Sequence, residues 1–294
     1  MGNDRQHDVS GTEFKTLADL APVAARRNGS DVFLELWSSR RGNRQSLTFV
    51  EFDQWVAVAC HHVRQVLFSG PSASIAGVRV ALIAHVSADS LAMSLAVPTL
   101  SAVLVQLNWR QPESTLATMI SGLDCSMLVV GRGFVSKARR LRAQSGVPTL
   151  VVIDDACAEE PSDVDPSSGE YSVSCDPARL RAESPATAAA IAAHAGGSTH
   201  AAAAHDHDHH QRPEPSDVAA IMFTSGTSAL PKPVPLTHKG LLWSCRAKRE
   251  AERSVLGISD GEHRGTLAFL PAFHVIGFTN KCAPPPRRRA RSCL

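Results

Sequence analysis

No C-x-x-C pair occurs in this sequence of 294 residues, although it holds seven cysteines, at positions 60, 125, 157, 175, 245, 282 and 293. An odd count without paired spacing argues against a disulfide framework and predicts reduced thiols. No apolar run reaches the eighteen residues that a membrane-spanning helix needs, so no membrane span is expected. The opening MGNDRQHDVSGTEF lacks the apolar core of a secretory signal. It also misses the myristoylation pattern, because Gln6 stands where Ser or Thr is required. The closing RSCL sets Cys293 in the wrong place for prenylation and is no peroxisomal address. The cytoplasm is the location these absences leave. A strong charge of one sign is missing too. The last fourteen residues carry Lys281, Arg287, Arg288, Arg289, Arg291 and no acid, so without them the formal +2 becomes −3. A nucleic-acid partner is therefore not expected of the body of the chain.

What remains is the composition of a globular protein, 44% apolar and 20% charged, with enough to bury a core. Residues 1–45 read as an irregular lead-in with one short helix. LTFVEFDQWVAVACHHVRQVLFSGP then predicts a strong helix. Thr48 and Glu51 form a capping box, while Phe52, Trp55, Val56, Ala59, Val63, Val66 and Leu67 make one apolar stripe. Gly70-Pro71 stops it. No ligand role is expected for His61 or His62 on this helix. From Val78 the chain alternates between β-rich apolar runs (VRVALIA, AVLVQLN, SMLVV, TLVVID) and helix-like segments. Pro98 must end or kink the first of these helices, and Pro112 suits the first position of the next. Strands separated by helices require crossovers, hence an α/β fold with a parallel sheet covered on both faces over residues 46–155.

The pattern breaks at residues 156–216, an acidic, Ala-rich and His-rich stretch that reads as a low-complexity insertion, exposed and mostly disordered. Its imidazoles (His194, His200, His205, His207, His209, His210) suit borderline-soft metals. The segment offers no fixed geometry or second partners, so adventitious nickel or zinc affinity is expected and no functional metal site.

The chemistry lies in residues 217–280. AAIMF predicts a short buried strand, and TSGTS turns sharply after it at Gly226. Such a turn can aim successive N–H groups at an anion. Thr224, Ser225, Thr227 and Ser228 add hydroxyl donors, and Lys232 supplies a cation. A Walker A loop is excluded, because Pro231 stands where glycine is needed and Lys232 is followed by proline. On loop chemistry alone, a phosphate site and a Ser/Thr-rich surface turn are equal alternatives.

FTSGTSALPKPVPLTH resembles the signature loop of the adenylate-forming (AMP-binding) superfamily, which takes in acyl- and aryl-CoA ligases, luciferases and nonribosomal-peptide-synthetase adenylation domains. Phe223, Thr224, Ser225, Gly226, Thr227, Ser228, Pro231, Lys232 and Val234 match its aromatic-T-S-G-[TS]-[TS]-G-x-P-K-G-[VI] in order and spacing. LAFLPAFHVIGF is similar to the family's P-x-F-H-x-x-G element through Pro271, Phe273, His274 and Gly277. A looser likeness covers the strand–helix–strand stretch from Val78 to Leu116.

The resemblance implies an acid–thiol ligase that activates a small carboxylic acid with ATP and Mg2+ as an acyl-adenylate. The acyl group would pass to CoA or to a phosphopantetheine arm on a carrier protein. Thr224, Ser225, Gly226, Thr227, Ser228 and Lys232 would cradle the β- and γ-phosphates. His274 would be the catalytic residue on the carboxylate-pocket side. Two positions depart from the family. Ala229 replaces a glycine, at a cost of roughly 1–2 kcal/mol where φ must be positive. Pro233 replaces another, removing an N–H and biasing Lys232 to extended geometry, as in some fungal reductase-type adenylating proteins.

The motifs stop near Asn280. The family's magnesium-holding Y-G-x-T-E-like glutamate, its ribose-binding aspartate and its C-terminal domain with the catalytic lysine are not seen. The expectation is an inactive or incomplete portion of a ligase with a foreign-looking basic tail at 281–294. The alternative is a non-catalytic remnant acting as a ligand-binding or interaction module. Leu267, Phe269, Leu270, Phe273, Ile276 and Phe278 are then expected to lack packing partners.

Overall fold

The computed structural model describes residues 14–37, 44–67, 74–154, 164–195, 212–224, 230–257 and 270–282. Its first helix, α1 (Leu20–Asn28), follows a short 3-10 turn, and β1 (Val32–Trp37) pairs antiparallel with β2 (Arg44–Thr48). The lead-in is thus more regular than expected. Leu17, Leu20 and Val23 are buried, and the Phe33 ring lies 5.1 Å from Phe49 and 4.4 Å from Phe52. Apolar burial orders a segment whose short elements carry little periodicity of their own.

Helix α2 (Phe49–Leu67) starts where the capping box places it. The Thr48 N–H donates to Glu51 Oε2 at 2.7 Å, and the Glu51 N–H to Thr48 Oγ1 at 3.2 Å. The five central stripe residues, Phe52 to Val63, are buried. β3 (Arg79–Ile83), α3 (Ala88–Thr99), β4 (Val103–Gln106), α4 (Glu113–Gly122), β5 (Met127–Gly131), α5 (Val135–Ser145) and β6 (Thr149–Ile153) then follow in the expected alternation. Pro98 sits in the last turn of α3 and Pro112 just precedes α4. Every residue of α3 is buried, so its hydroxyls bond inward, Ser94 Oγ to Ser90 O and Thr99 Oγ1 to Leu95 O, both at 2.7 Å.

β7 (Glu170–Val173) pairs parallel with β6, and α6 (Pro177–Glu183) and α7 (Pro185–Ala195) follow it. The boundary drawn at 156 therefore cuts through the sheet, and the strand and helices within residues 164–195 correct the disordered insertion expected there. The run is too short and too polar to read as a strand. It is held by backbone pairing, with the Leu150 N–H donating to Gly169 O at 3.0 Å, and by an ion pair between Arg139 and buried Glu170 at 2.9 Å. His194 falls in α7, and His200 to His210 lie outside the described residues.

β8 (Val218–Thr224) returns to pair parallel with β4, and β9 (Lys232–Thr237) turns back antiparallel along β8. The seven-stranded order is β7-β6-β5-β3-β4-β8-β9. Side chains alternate between its faces: Val80 and Leu82 face α1, α2 and α3, whereas Ala81 and Ile83 face α4 and α5. This is the α/β sheet covered on both faces that the alternation predicts. Helix α8 (His238–Leu256) and α9 (Val275–Cys282) close the first face, burying Leu241, Leu242, Cys245 and Phe278. Cys60, Cys125, Cys175 and Cys245 are free and buried. Among the described residues, no helix is long and apolar enough to cross a membrane.

His238, the first residue of α8, ties that helix to the lead-in, 221 residues earlier in sequence. Its Nδ1 accepts from the Leu17 N–H at 3.0 Å, so its proton sits on Nε2. Burial pushes this imidazole down to about 4. The folded state then binds fewer protons than the unfolded one between pH about 4 and about 6.5, so His238 costs stability as pH falls through that window. His238→Ala should cost about 1–3 kcal/mol by stranding the Leu17 N–H. It should also flatten the pH dependence between 4 and 6.5, read from urea midpoints against the parent chain.

Candidate functional site

Chain order and strand order together point to where a candidate site lies. From β3 the chain steps to β4 on one side, then returns to β5 on the other, so the connections change direction between β3 and β5. In open α/β sheets ligands bind beyond the carboxyl ends of the strands near such a switch. Because β8 is parallel to β4, Thr224 leaves the sheet at that same carboxyl edge.

The β8–β9 hairpin sets the next constraint. Thr224 stands directly opposite Lys232, Phe223 opposite Pro233 and Met222 opposite Val234. Opposed residues share a face, so the Thr224 hydroxyl and the Lys232 ammonium project to one side of the hairpin mouth. Both are exposed, and among the described residues no carboxylate lies within ion-pair distance of Lys232. Ser225, Gly226, Thr227, Ser228 and Ala229 lie outside the described residues. The strand expected over AAIMF is present, and Ala219 to Met222 are buried.

The second motif is a turn running into α9. The His274 N–H donates to Pro271 O at 3.1 Å, and its carbonyl accepts from the Phe278 N–H at 2.9 Å. The imidazole is exposed, 4.8 Å from the Phe273 ring, so His274 is no core histidine. No described hydrogen bond or ion pair joins it to Thr224 or Lys232. Gly277 explains the motif spacing. A Cβ there would stand 2.1 Å from Pro271 O and 2.9 Å from Leu270 O, so only glycine lets α9 close onto its own entry turn. The apolar residues expected to be orphaned divide. Phe273 and Phe278 are buried, Phe278 at 1% exposure, because α9 packs on α8 with Cys245 Sγ 3.4 Å from Thr279 O. Ile276 is 57% exposed, and Leu267 and Phe269 lie outside the described residues.

Sequence reasoning missed the residues that fill the switch crevice. His85 after β3, Trp109 after β4 and Phe134 after β5 bring their rings together at 5.0, 4.8 and 5.8 Å. Beside them Asp154 takes Arg132 and, at 3.2 Å, Arg179, while Ser87 Oγ donates to the Asp154 carbonyl at 3.3 Å. Each lies in the first few residues after a strand, except Arg179 on α6. That position was the available signal.

A family model described as AMP-binding enzyme matches residues 23–294. Among curated proteins, 4-coumarate–CoA ligase 4 of Arabidopsis thaliana is 41% identical over 61 residues, 21% of this chain and 10% of that protein. Long-chain-fatty-acid–CoA ligase 1 of Cavia porcellus is 38% identical over 70 residues, 24% of this chain and 10% of that protein. The chain thus matches about a tenth of the length of these relatives. Among solved structures, the anthranilate CoA ligase AuaEII bound to anthranoyl-AMP aligns with TM-score 0.59 at 15% identity, covering 85% of this chain and 39% of that one. The fatty acyl-adenylate ligases from E. coli and L. pneumophila align with TM-score 0.61 at 18% identity, covering 94% of this chain and 40% of that one. These likenesses show a shared fold.

Gly277→Ala should destabilise by about 1–3 kcal/mol, because the new methyl meets backbone that cannot yield like a flexible side chain. Ile276→Ala, at the exposed neighbour, should stay within about 0.5 kcal/mol. Urea unfolding of both variants checks the contrast.

Proposed function

Because the chain belongs to the AMP-binding enzyme family, we propose that it carries the triphosphate-binding part of a ligase that activates a carboxylic acid as its acyl-adenylate. One observation carries this reading: Thr224 and Lys232 are paired across a hairpin mouth at the carboxyl edge of the sheet. A hydroxyl donor and an exposed ammonium on one face suit the oxygens of a polyphosphate. Ser225, Gly226, Thr227 and Ser228, between those two residues, would complete the cradle with hydroxyl and N–H donors.

The chemistry follows from where charge develops. A substrate carboxylate oxygen bonds to the α-phosphorus of ATP, and the bond from that phosphorus to the bridging oxygen breaks. Pyrophosphate leaves with the bonding pair. Lys232 and the loop donors would hold the β- and γ-phosphates and stabilise that growing charge more than the ground state. Mg2+ would enter with the triphosphate, and no protein ligand is assigned to it. His274, exposed on a turn fixed by two backbone bonds, could donate a ring N–H to the carboxylate or to the acyl phosphate. The thiol acceptor proposed is CoA, since the named relatives are CoA ligases.

MgATP should slow hydrogen exchange in residues 224–232, and Lys232→Ala should weaken MgATP binding about 10- to 100-fold, the worth of a hydrogen bond to a charged group. Lys239→Ala, exposed on α8, is the control and should leave affinity unchanged. No protection, or equal affinity in the Lys232 variant, would overturn the reading.

A further inference from the structure

We infer that Asp89 and Cys175 form a proton-operated latch fastening the α6–α7 hairpin to the sheet. Asp89 lies in the first turn of α3 and is only 4% exposed. Its Oδ1 accepts from the Cys175 N–H at 2.6 Å, across 86 residues of sequence, and the Cys175 side chain is itself fully buried. Cys175 lies in the short connection between β7 and α6, so this contact sits at the root of the hairpin. His62 on α2 grips the preceding residue, with Nε2 3.1 Å from Ser174 O. The loop is held from two sides by side chains that titrate.

The groups around the loop decide which one responds near neutral pH. Burial pushes the Asp89 carboxyl up to about 7 despite its N–H donor, and Asp154, just after β6, adds repulsion. Burial pushes His62 down to about 4, with His61 beside it lowering it further and Glu183 opposing, so it stays neutral above that. Burial raises Cys60 on α2 to about 12 and pushes Cys175 well above the usual thiol range, so neither thiol ionises. Arg132 and Arg179 are engaged by Asp154, and Arg179 also by Glu183 at 2.7 Å. Asp89 is the group among these that changes charge between pH 6 and 8.

A raised carboxyl fixes the sign. The docked loop keeps a proton on Asp89 that an opened, hydrated loop releases. Opening is therefore favoured by each rise in pH from about 4 to about 7, and the bias levels off above that. Opening also frees Arg179 from Asp154, beside the switch crevice on the edge where Thr224 emerges.

Hydrogen exchange of the whole chain, corrected for intrinsic rates, tests this. Opening of residues 170–195 should be about tenfold greater at pH 8 than at pH 6, while β3 to β5 hold their protection. Asp89→Asn should open to the same extent at both pH values. An unchanged wild-type profile, the same pH response in the variant, or a loss shared by the whole sheet would overturn the latch. If the variant does not fold, infrared spectra of wild-type protein with carboxyl-labelled aspartate decide. One aspartate protonating near pH 7 with the midpoint of the exchange change supports the latch, and none titrating above about pH 6 refutes it.

Discussion

The pairing of β8 with β4 is the contact on which the geometry of the candidate site rests. Leu104 lies against Ala220 and Val105 against Ile221, joining segments more than a hundred residues apart in sequence. Parallel pairing makes β8 end at the carboxyl edge with β3 to β7, instead of at the opposite edge. Had β8 paired antiparallel, the hydroxyl-rich loop would leave from the amino ends of the strands, away from the switch crevice. Buried Ala219 to Met222 make that pairing worth having, since both faces of β8 are covered.

The antiparallel return of β9 then delivers α8 to the bottom of the sheet. Thr237 caps α8 by accepting from the Gly240 N–H at 3.1 Å, and the next residue, His238, turns inward to the Leu17 N–H. The lead-in, the hairpin and α8 are therefore coupled through one imidazole. α9 packs on α8 and carries the His274 turn, so the second motif is positioned through helix packing and not by the hairpin itself. Two motifs that look adjacent in function reach their places by separate routes.

How much of this was legible depended on whether a segment announces itself locally. The helix from Phe49, the strands at Val80, Leu104, Leu128 and Leu150, and the buried run before Thr224 all carry strong periodicity or apolar density, and the sheet follows from their alternation. Residues 164–195 do not. Glu170-Tyr171-Ser172-Val173 becomes a strand because β6 offers an unpaired edge and Arg139 offers a counter-charge, both supplied from elsewhere in the chain. Likewise Asp89 reads as a polar residue in a helix start, and nothing nearby in sequence says that it will be buried against Cys175. For the site, residue types and spacing pointed to Thr224, Lys232 and the Pro271–Gly277 turn. The aromatic cluster was signalled only by each ring's position after a strand, because His85, Trp109 and Phe134 meet only through the strand order.

The sheet also gives a physical meaning to the proline that departs from the family pattern. Pro233 and Pro235 stand opposite Phe223 and Ile221, two residues apart and so in the same class of ladder position. Proline cannot donate, which assigns the inward-facing N–H groups to Lys232, Val234 and Leu236 and turns both prolines toward the open side. β9 is an edge strand of the described seven-stranded sheet. An edge without donors at two of its outward positions is a poor template for a further strand. Glycine at 233 would leave the backbone there free and the edge able to pair. Proline instead stiffens the strand immediately after Lys232 and disfavours helical geometry at the lysine itself. The substitution removes one backbone donor and in exchange holds the Lys232 backbone extended, opposite Thr224, where the ammonium and the hydroxyl share a face.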